Sequence, residues 1–139
     1  VYGPVLGADY SHSIRLIANM LEGQPGCLNV SSCCVDVRDV ADLHLRAMTD
    51  PAAKGERFLA TVGESMWMVE IAELVWPDEQ VRIAAETNAQ LNGVVPLLHY
   101  DMSATGRKAE RLLGWTPRSR EEAIISCAES LIRLGLLRG

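Results

Sequence analysis

Val35-Asp36-Val37-Arg38-Asp39-Val40-Ala41-Asp42 is the stretch on which the fold turns. Residues 33 to 37 suit a short extended segment. Asp39 is the expected N-cap of the helix that follows, its carboxylate accepting from the free amide of Asp42. Val40, Leu43, Ala47 and Met48 then share one helical face. The helix should stop at Asp50-Pro51, because proline disfavours helix in the residue before it. The stretch thus reads as an extended segment running directly into a helix.

Downstream, Lys54-Gly55 is turn chemistry, and residues 57 to 62 form a β-rich run of strand length. Ser65 is the expected cap of a helix carrying Met68, Ile71, Ala72 and Val75, closed by Pro77. A further helix is expected over residues 78 to 92, with Val81, Ala84, Ala85 and Leu91 inward and Gly93 at its end. Ser103 or Thr105 starts another, with Ala109, Leu112 and Leu113, which Gly114 terminates. Ser119 and Glu122 make a capping box for the last helix, built on Ile124, Ala128, Leu131 and Leu134. Upstream, residues 24 to 32 read as loop. Ser11 or Ser13 caps a helix presenting Ile14, Ile17, Ala18 and Leu21, ended by Gly23. Residues 1 to 10 read as a strand end running into a loop. The whole is helix-rich, with one clear strand and two weaker ones. A lone strand cannot satisfy its edges, so residues 57 to 62 are expected to need a sheet that this sequence barely supplies.

The chain has 139 residues, enough for one domain or part of a larger one. Hydrophobic residues make up 48% and charged residues 22%, values of a globular chain that exclude extensive disorder. A net charge of -5 offers no basic face to nucleic acid or to an anionic membrane. No apolar run reaches the length needed to span a bilayer. Val1-Tyr2-Gly3-Pro4 is neither a signal peptide nor an initiator sequence, and it opens in what reads as a strand end. Cys27, Cys33, Cys34 and Cys127 form no CxxC pair and no metal-ligand spacing. They are expected to be buried or half-buried free thiols in a reducing cytoplasm. Asn29-Val30-Ser31 matches a glycosylation acceptor by chance. No Ser/His/Asp or Cys/His arrangement emerges, and His44 on a helix flank has no second ligand, so neither catalytic nor metal-binding residues are assigned.

Three segments together resemble the extended short-chain dehydrogenase/reductases, in particular the dihydroflavonol-reductase-like branch of the NAD-dependent epimerase/dehydratase family. The first is Val1-Tyr2-Gly3-Pro4-Val5-Leu6-Gly7, like that family's VYGP turn after a central strand. The second is Val35 to Asp42, followed by Ala47-Met48 and Gly55-Glu56-Arg57-Phe58. The third is Lys108-Ala109-Glu110-Arg111-Leu112-Leu113-Gly114-Trp115-Thr116-Pro117-Arg118-Ser119, leading into Glu121-Glu122-Ala123. They stand in the family's order across nearly the whole chain. The resemblance implies an α/β class with a partial Rossmann-like fold, mainly the helical C-terminal substrate domain with a few residual strands. Residues 1 to 139 would be this substrate-side portion, with the N-terminal cofactor-binding half lying outside the sequence.

The departures are equally informative. The family's glycine-rich GxxGxxG, which brings backbone to the pyrophosphate, is absent. The Tyr-x-x-x-Lys pair is absent too, since Leu6, Ile14 and Ala104 stand four residues after Tyr2, Tyr10 and Tyr100. Without it no phenol with a lysine-depressed pKa protonates the carbonyl oxygen. The connection around Trp76-Pro77 is also shorter than the family's.

By resemblance, Tyr2, Gly3 and Pro4 lie where main chain approaches the nicotinamide, and Val5, Leu6 and His12 line the substrate pocket. Four of these also have a purely structural reading: a tight turn for Tyr2, Gly3 and Pro4, an exposed polar residue for His12. Arg38 is expected to pair with a nearby carboxylate, and Trp67 and Trp115 to pack, Trp115 folding back on the helix-ending Gly114. The parent enzyme would use NADP or NAD to reduce a small carbonyl substrate, with no cofactor bound by this chain alone. Two alternatives stand beside it. One is a non-catalytic module that pairs with a separate cofactor domain or self-associates; the other is half of a nucleotide-sugar epimerase/dehydratase.

Overall fold

The computed structural model describes residues 1–22, 30–75 and 101–137. The described residues form five α-helices, a short 3-10 turn and a two-stranded sheet. In chain order these are α1 (His12–Leu21), β1 (Ser31–Cys34), α2 (Val37–Thr49), the 3-10 turn Pro51–Ala53, β2 (Val62–Trp67), α3 (Met68–Val75), α4 (Arg107–Leu113) and α5 (Arg120–Arg133). The expected α/β class is what the chain adopts. Gly23, Cys27, Asn29, Pro77 and the helix expected over 78 to 92 lie outside the described residues.

α1 follows Ser11, which sits extended in the cap position but makes no side-chain cap bond. Ile14, Ile17 and Ala18 are buried at helical spacing, with Leu21 packed at the margin. α2 begins one turn earlier than expected. Asp36, not Asp39, is its N-cap, accepting from the Arg38 amide at 2.8 Å. Asp39 falls instead in the first turn, on the buried face, where a carboxylate also suits the helix dipole. Leu43 is buried and Val40 and Ala47 pack beside it, but Met48 is 81% exposed. One residue beyond Ala47 is a rotation of about 100°, which carries Met48 off that face. The helix stops at Asp50, as Pro51 requires.

The strand lies later than expected. β2 spans Val62–Trp67, whereas residues 57 to 61 have no regular structure. β2 pairs antiparallel with β1, Ser31 opposite Trp67, Ser32 opposite Met66 and Cys34 opposite Val62, with an irregularity between Ser32 and Cys34. Pairing partners override propensity in strands, and Phe58 and Ala60 are used for packing instead. Ser65, expected to cap the next helix, is therefore inside β2. Glu70 takes the capping role, its Oε2 accepting from the Trp67 amide at 2.7 Å.

Met68, Ile71 and Ala72 of α3 are buried. α4 buries Ala109 and Leu113, while Leu112 stays on its outer side. Gly114 ends it in the left-handed region (φ 60°, ψ 28°). Ser119 Oγ accepts from the Glu122 amide at 3.0 Å and starts α5, which buries Ile124, Ala128 and Leu131. Leu134, expected on that face, is the exposed C-cap. Two cores result. The larger joins α1, α3 and α5 around Ile17, Ile71, Ile124 and Leu131 and takes in Tyr2 and Val5. The smaller holds Val35, Leu43, Ala109, Leu113 and Trp115.

Candidate functional site

The turn at residues 2–5 is fixed from two sides. Tyr2 forms a parallel bridge with Asp36: its amide donates to the Val35 carbonyl at 2.9 Å, and its carbonyl accepts from the Val37 amide at 2.8 Å. Gly3 then adopts φ 111°, a conformation that L side chains rarely take. A Cβ placed there would lie 2.8 Å from Asp36 Oδ1, so space as well as backbone conformation demands glycine. On the other side, the Val5 amide donates to Ser130 Oγ of α5 at 2.8 Å in a buried setting.

Asp36 is the hub of this arrangement. It is fully buried, caps α2, and binds Arg38 through two contacts, Nε to Oδ1 at 2.9 Å and Nη2 to Oδ2 at 2.6 Å. Burial raises its pKa, but the hydrogen bonds from Arg38 outweigh that and hold the carboxyl below its usual range. Arg38 thus pairs with a carboxylate as its sequence context suggests.

A second set of bonds locks α2 to the α4–α5 connection. Arg118 approaches Asp39 twice, its amide donating to Oδ2 at 2.8 Å and its guanidinium to Oδ1. The Trp115 indole N–H donates to the Asp39 carbonyl at 3.0 Å, and Arg46 donates to the carbonyls of Leu113 and Gly114 at 3.0 and 2.9 Å. Trp115 does fold back behind Gly114, and it is also the largest fully buried side chain among the described residues.

The sequence-expected site residues separate into two groups. Tyr2, Gly3 and Val5 are buried and Pro4 half-buried, with Tyr2 and Val5 packed in the larger core. Leu6 is 96% exposed, and His12 is exposed at the first position of α1. Burial, with Cys34 adding to it, pushes the Tyr2 phenol up to about 12. Burial likewise raises the Cys34 thiol to about 11 and the Cys127 thiol to about 12. Raised pKa values leave all three groups protonated and unreactive at neutral pH. Cys33 is half-buried, and these three cysteines are free. Among the described residues no group of three or more His, Cys, Asp or Glu is placed to hold a metal. None of their helices is long and apolar enough to cross a membrane.

One feature escaped the sequence reading. An open cleft of about 700 Å³ lies between β2 and residues 101–107, with Glu64, Ser65, Trp67, Asp101, Ser103 and Arg120 among its walls. Asp101 Oδ1 accepts from the hydroxyls of Ser65 (2.5 Å), Ser103 (2.7 Å) and Ser31 (3.2 Å). The Ser65 and Ser103 hydrogen bonds keep its carboxyl below the ordinary range. Serines at 31, 65 and 103 carry no spacing signal, so only the folded chain brings them to one carboxylate.

Solved structures cover nearly all of this arrangement. The gox2253 crystal structure matches 99% of the chain and 48% of its own length, with a TM-score of 0.78 and 18% identity. RMD from Pseudomonas aeruginosa, complexed with NADPH, matches 93% of the chain and 44% of its own, with a TM-score of 0.59 and 18% identity. This is the fold of the extended short-chain dehydrogenase/reductases. A ketoreductase, adrE of Penicillium roqueforti, is 34% identical over 88 residues, 60% of this chain. The chain spans about half the length of the solved reductase-fold chains, and the aligned part is 25% of the ketoreductase. No family model matches the sequence.

Proposed function

We propose that these residues are the substrate-side portion of an NAD(P)-dependent carbonyl reductase of the dihydroflavonol-reductase type. In this reading the portion shapes the pocket for a small ketone or aldehyde, while a cofactor-binding half carries the nicotinamide. The observation that carries it is the turn at residues 2–5. A backbone held between a parallel bridge to Asp36 and α5, with a glycine where a Cβ would press on the Asp36 carboxylate, is a rigid rim beside which a ligand can be placed. Val5, Leu6 and His12 would supply the substrate side of that rim, and Tyr2, Gly3 and Pro4 the cofactor side. The similarity to a ketoreductase favours this reading over a nucleotide-sugar epimerase half.

The described residues do not fit a whole dinucleotide. Its pyrophosphate needs the amides of a glycine-rich turn at a helix start, and none of the described helices opens that way. Both main-chain groups of Tyr2 are already engaged by Val35 and Val37. The Tyr2 phenol, pushed up to about 12, is moved the wrong way for a proton donor. No chemical step is therefore assigned to this chain. Its partners would be the carbonyl substrate and a cofactor-binding domain.

Thermal unfolding with and without saturating NADPH tests the reading, together with a chimera. The isolated chain should show no shift in Tm and no NADPH oxidation with any carbonyl. A ligand at a hundred times its Kd would add about 2.7 kcal/mol, so real binding would be plain. Joined to the cofactor-binding half of a related ketoreductase, the chain should restore NADPH oxidation with ketones. An NADPH shift on the chain alone, or a chimera active only on nucleotide sugars, would sink the proposal.

A further inference from the structure

Ser130 lies on α5, remote in sequence from the turn, yet its hydroxyl is the group that receives the Val5 amide. It is 2% exposed, and its own proton is already committed, donating to the Cys127 carbonyl at 2.8 Å. The oxygen's lone pair is thereby aimed at Val5. A hydroxyl can donate to one backbone group and accept from another at the same time. Alanine does neither, and would leave a buried N–H without a partner. The consequence appears one residue on. Val5 is drawn into the core, and the next side chain, Leu6, is turned almost wholly outward.

We propose that Ser130 is a positioning residue for the substrate loop: it anchors Val5 so that Leu6 is presented as an apolar contact for the hydrocarbon part of a carbonyl substrate. This rests on the reading of Val5 and Leu6 as pocket residues given above. Asp36 and Gly3 set where the turn enters the loop, and Ser130 sets where it leaves.

Amide hydrogen exchange followed by NMR on the full chain tests it, comparing wild type with Ser130→Ala and Ser130→Thr. Alanine should accelerate exchange at Val5 at least tenfold while the Val37 amide, on the far side of the turn, keeps its rate. Threonine, which retains the hydroxyl, should restore protection; if its methyl is not accommodated, Ser130→Cys provides an intermediate, weaker acceptor. Unchanged exchange at Val5, or acceleration spread equally over Val37 and α5, would overturn the assignment. Acetophenone titrated into the same three samples separates this inference from the reading beneath it. Perturbation at Leu6 in wild type, lost with alanine and regained with threonine, is the expected result. No perturbation in wild type would defeat the substrate role of Val5 and Leu6, whatever the exchange rates; perturbation that persisted in Ser130→Ala would defeat the positioning role alone.

Discussion

Gly3 and Asp36 show how tightly single positions are specified around the turn. Gly3→Ala must place a Cβ 2.8 Å from a buried carboxylate oxygen while holding φ at 111°. A cost of about 2 kcal/mol or more is expected, read as a lower urea midpoint with unchanged m-value. A midpoint equal to wild type would mean that the turn relaxes freely. Asp39 is buried, but its partner Arg118 has a side chain 39% exposed, so solvent screens the pair. Asp39→Asn keeps an acceptor for the Arg118 amide and removes the charge, and should cost about 1 kcal/mol. Asp39→Leu, which removes the acceptor as well, should cost more. Equal midpoints for the two variants would show that the amide contact contributes nothing. At this scale the sequence was partly legible. Adjacency suggested that Arg38 meets a carboxylate, but the pairing of Asp39 with Arg118, 79 residues away, is one that no local rule foresees.

The described helices follow their apolar periodicity, and that is why α1, α2, α4 and α5 were readable from spacing, although α2 is capped by Asp36 rather than Asp39 and α4 opens at Gly106 rather than at Ser103 or Thr105. Gly114 and Ser119 work because their effects are local: one needs positive φ, the other bonds an amide three residues away. β2 failed the same treatment because a strand is defined by what lies beside it. Residues 57 to 61 have the composition of a strand, yet β1 pairs with the residues that follow. The cleft around Asp101 was illegible for a related reason, since its hydroxyls come from β1, β2 and residue 103. α2 offers a direct check on the face it buries. Leu43→Ala should cost about 2–5 kcal/mol through the cavity it leaves. Met48→Ala, on the exposed side, should change stability by no more than about 0.5 kcal/mol. Thermal or urea unfolding of both variants decides it, and comparable losses would mean that the exposed face of α2 is covered in solution.

Across the whole molecule, the larger core carries three groups that resist ionisation. Unfolded, the Cys34 and Cys127 thiols lose their protons near 9.0 and the Tyr2 phenol near 10.0; folded, they do so at about 11, 12 and 12. Each folded pKa is raised, so the stability that these groups contribute is complete below pH 9 and is lost as pH climbs towards 12. Asp36 acts at the opposite end. Its folded pKa is lowered, so its contribution is present above the ordinary carboxylate range and fades as pH falls through the depressed value. A pH series of urea midpoints should therefore fall on both sides. Replacing both Cys34 and Cys127 by alanine lowers the plateau but should flatten the alkaline limb. An alkaline limb equally steep in that variant would place its origin elsewhere.

The Val5–Ser130 bond spans 125 residues of sequence. Translation runs in one direction, so the amide emerges on the order of 10 s before its acceptor is made. During that interval the hydrogen bonds that hold the turn are those of the bridge between Tyr2 and Asp36. A nascent chain arrested before α5 should therefore protect Tyr2 and leave Val5 open to exchange, so that the turn at residues 2–5 is completed only once α5 has been made.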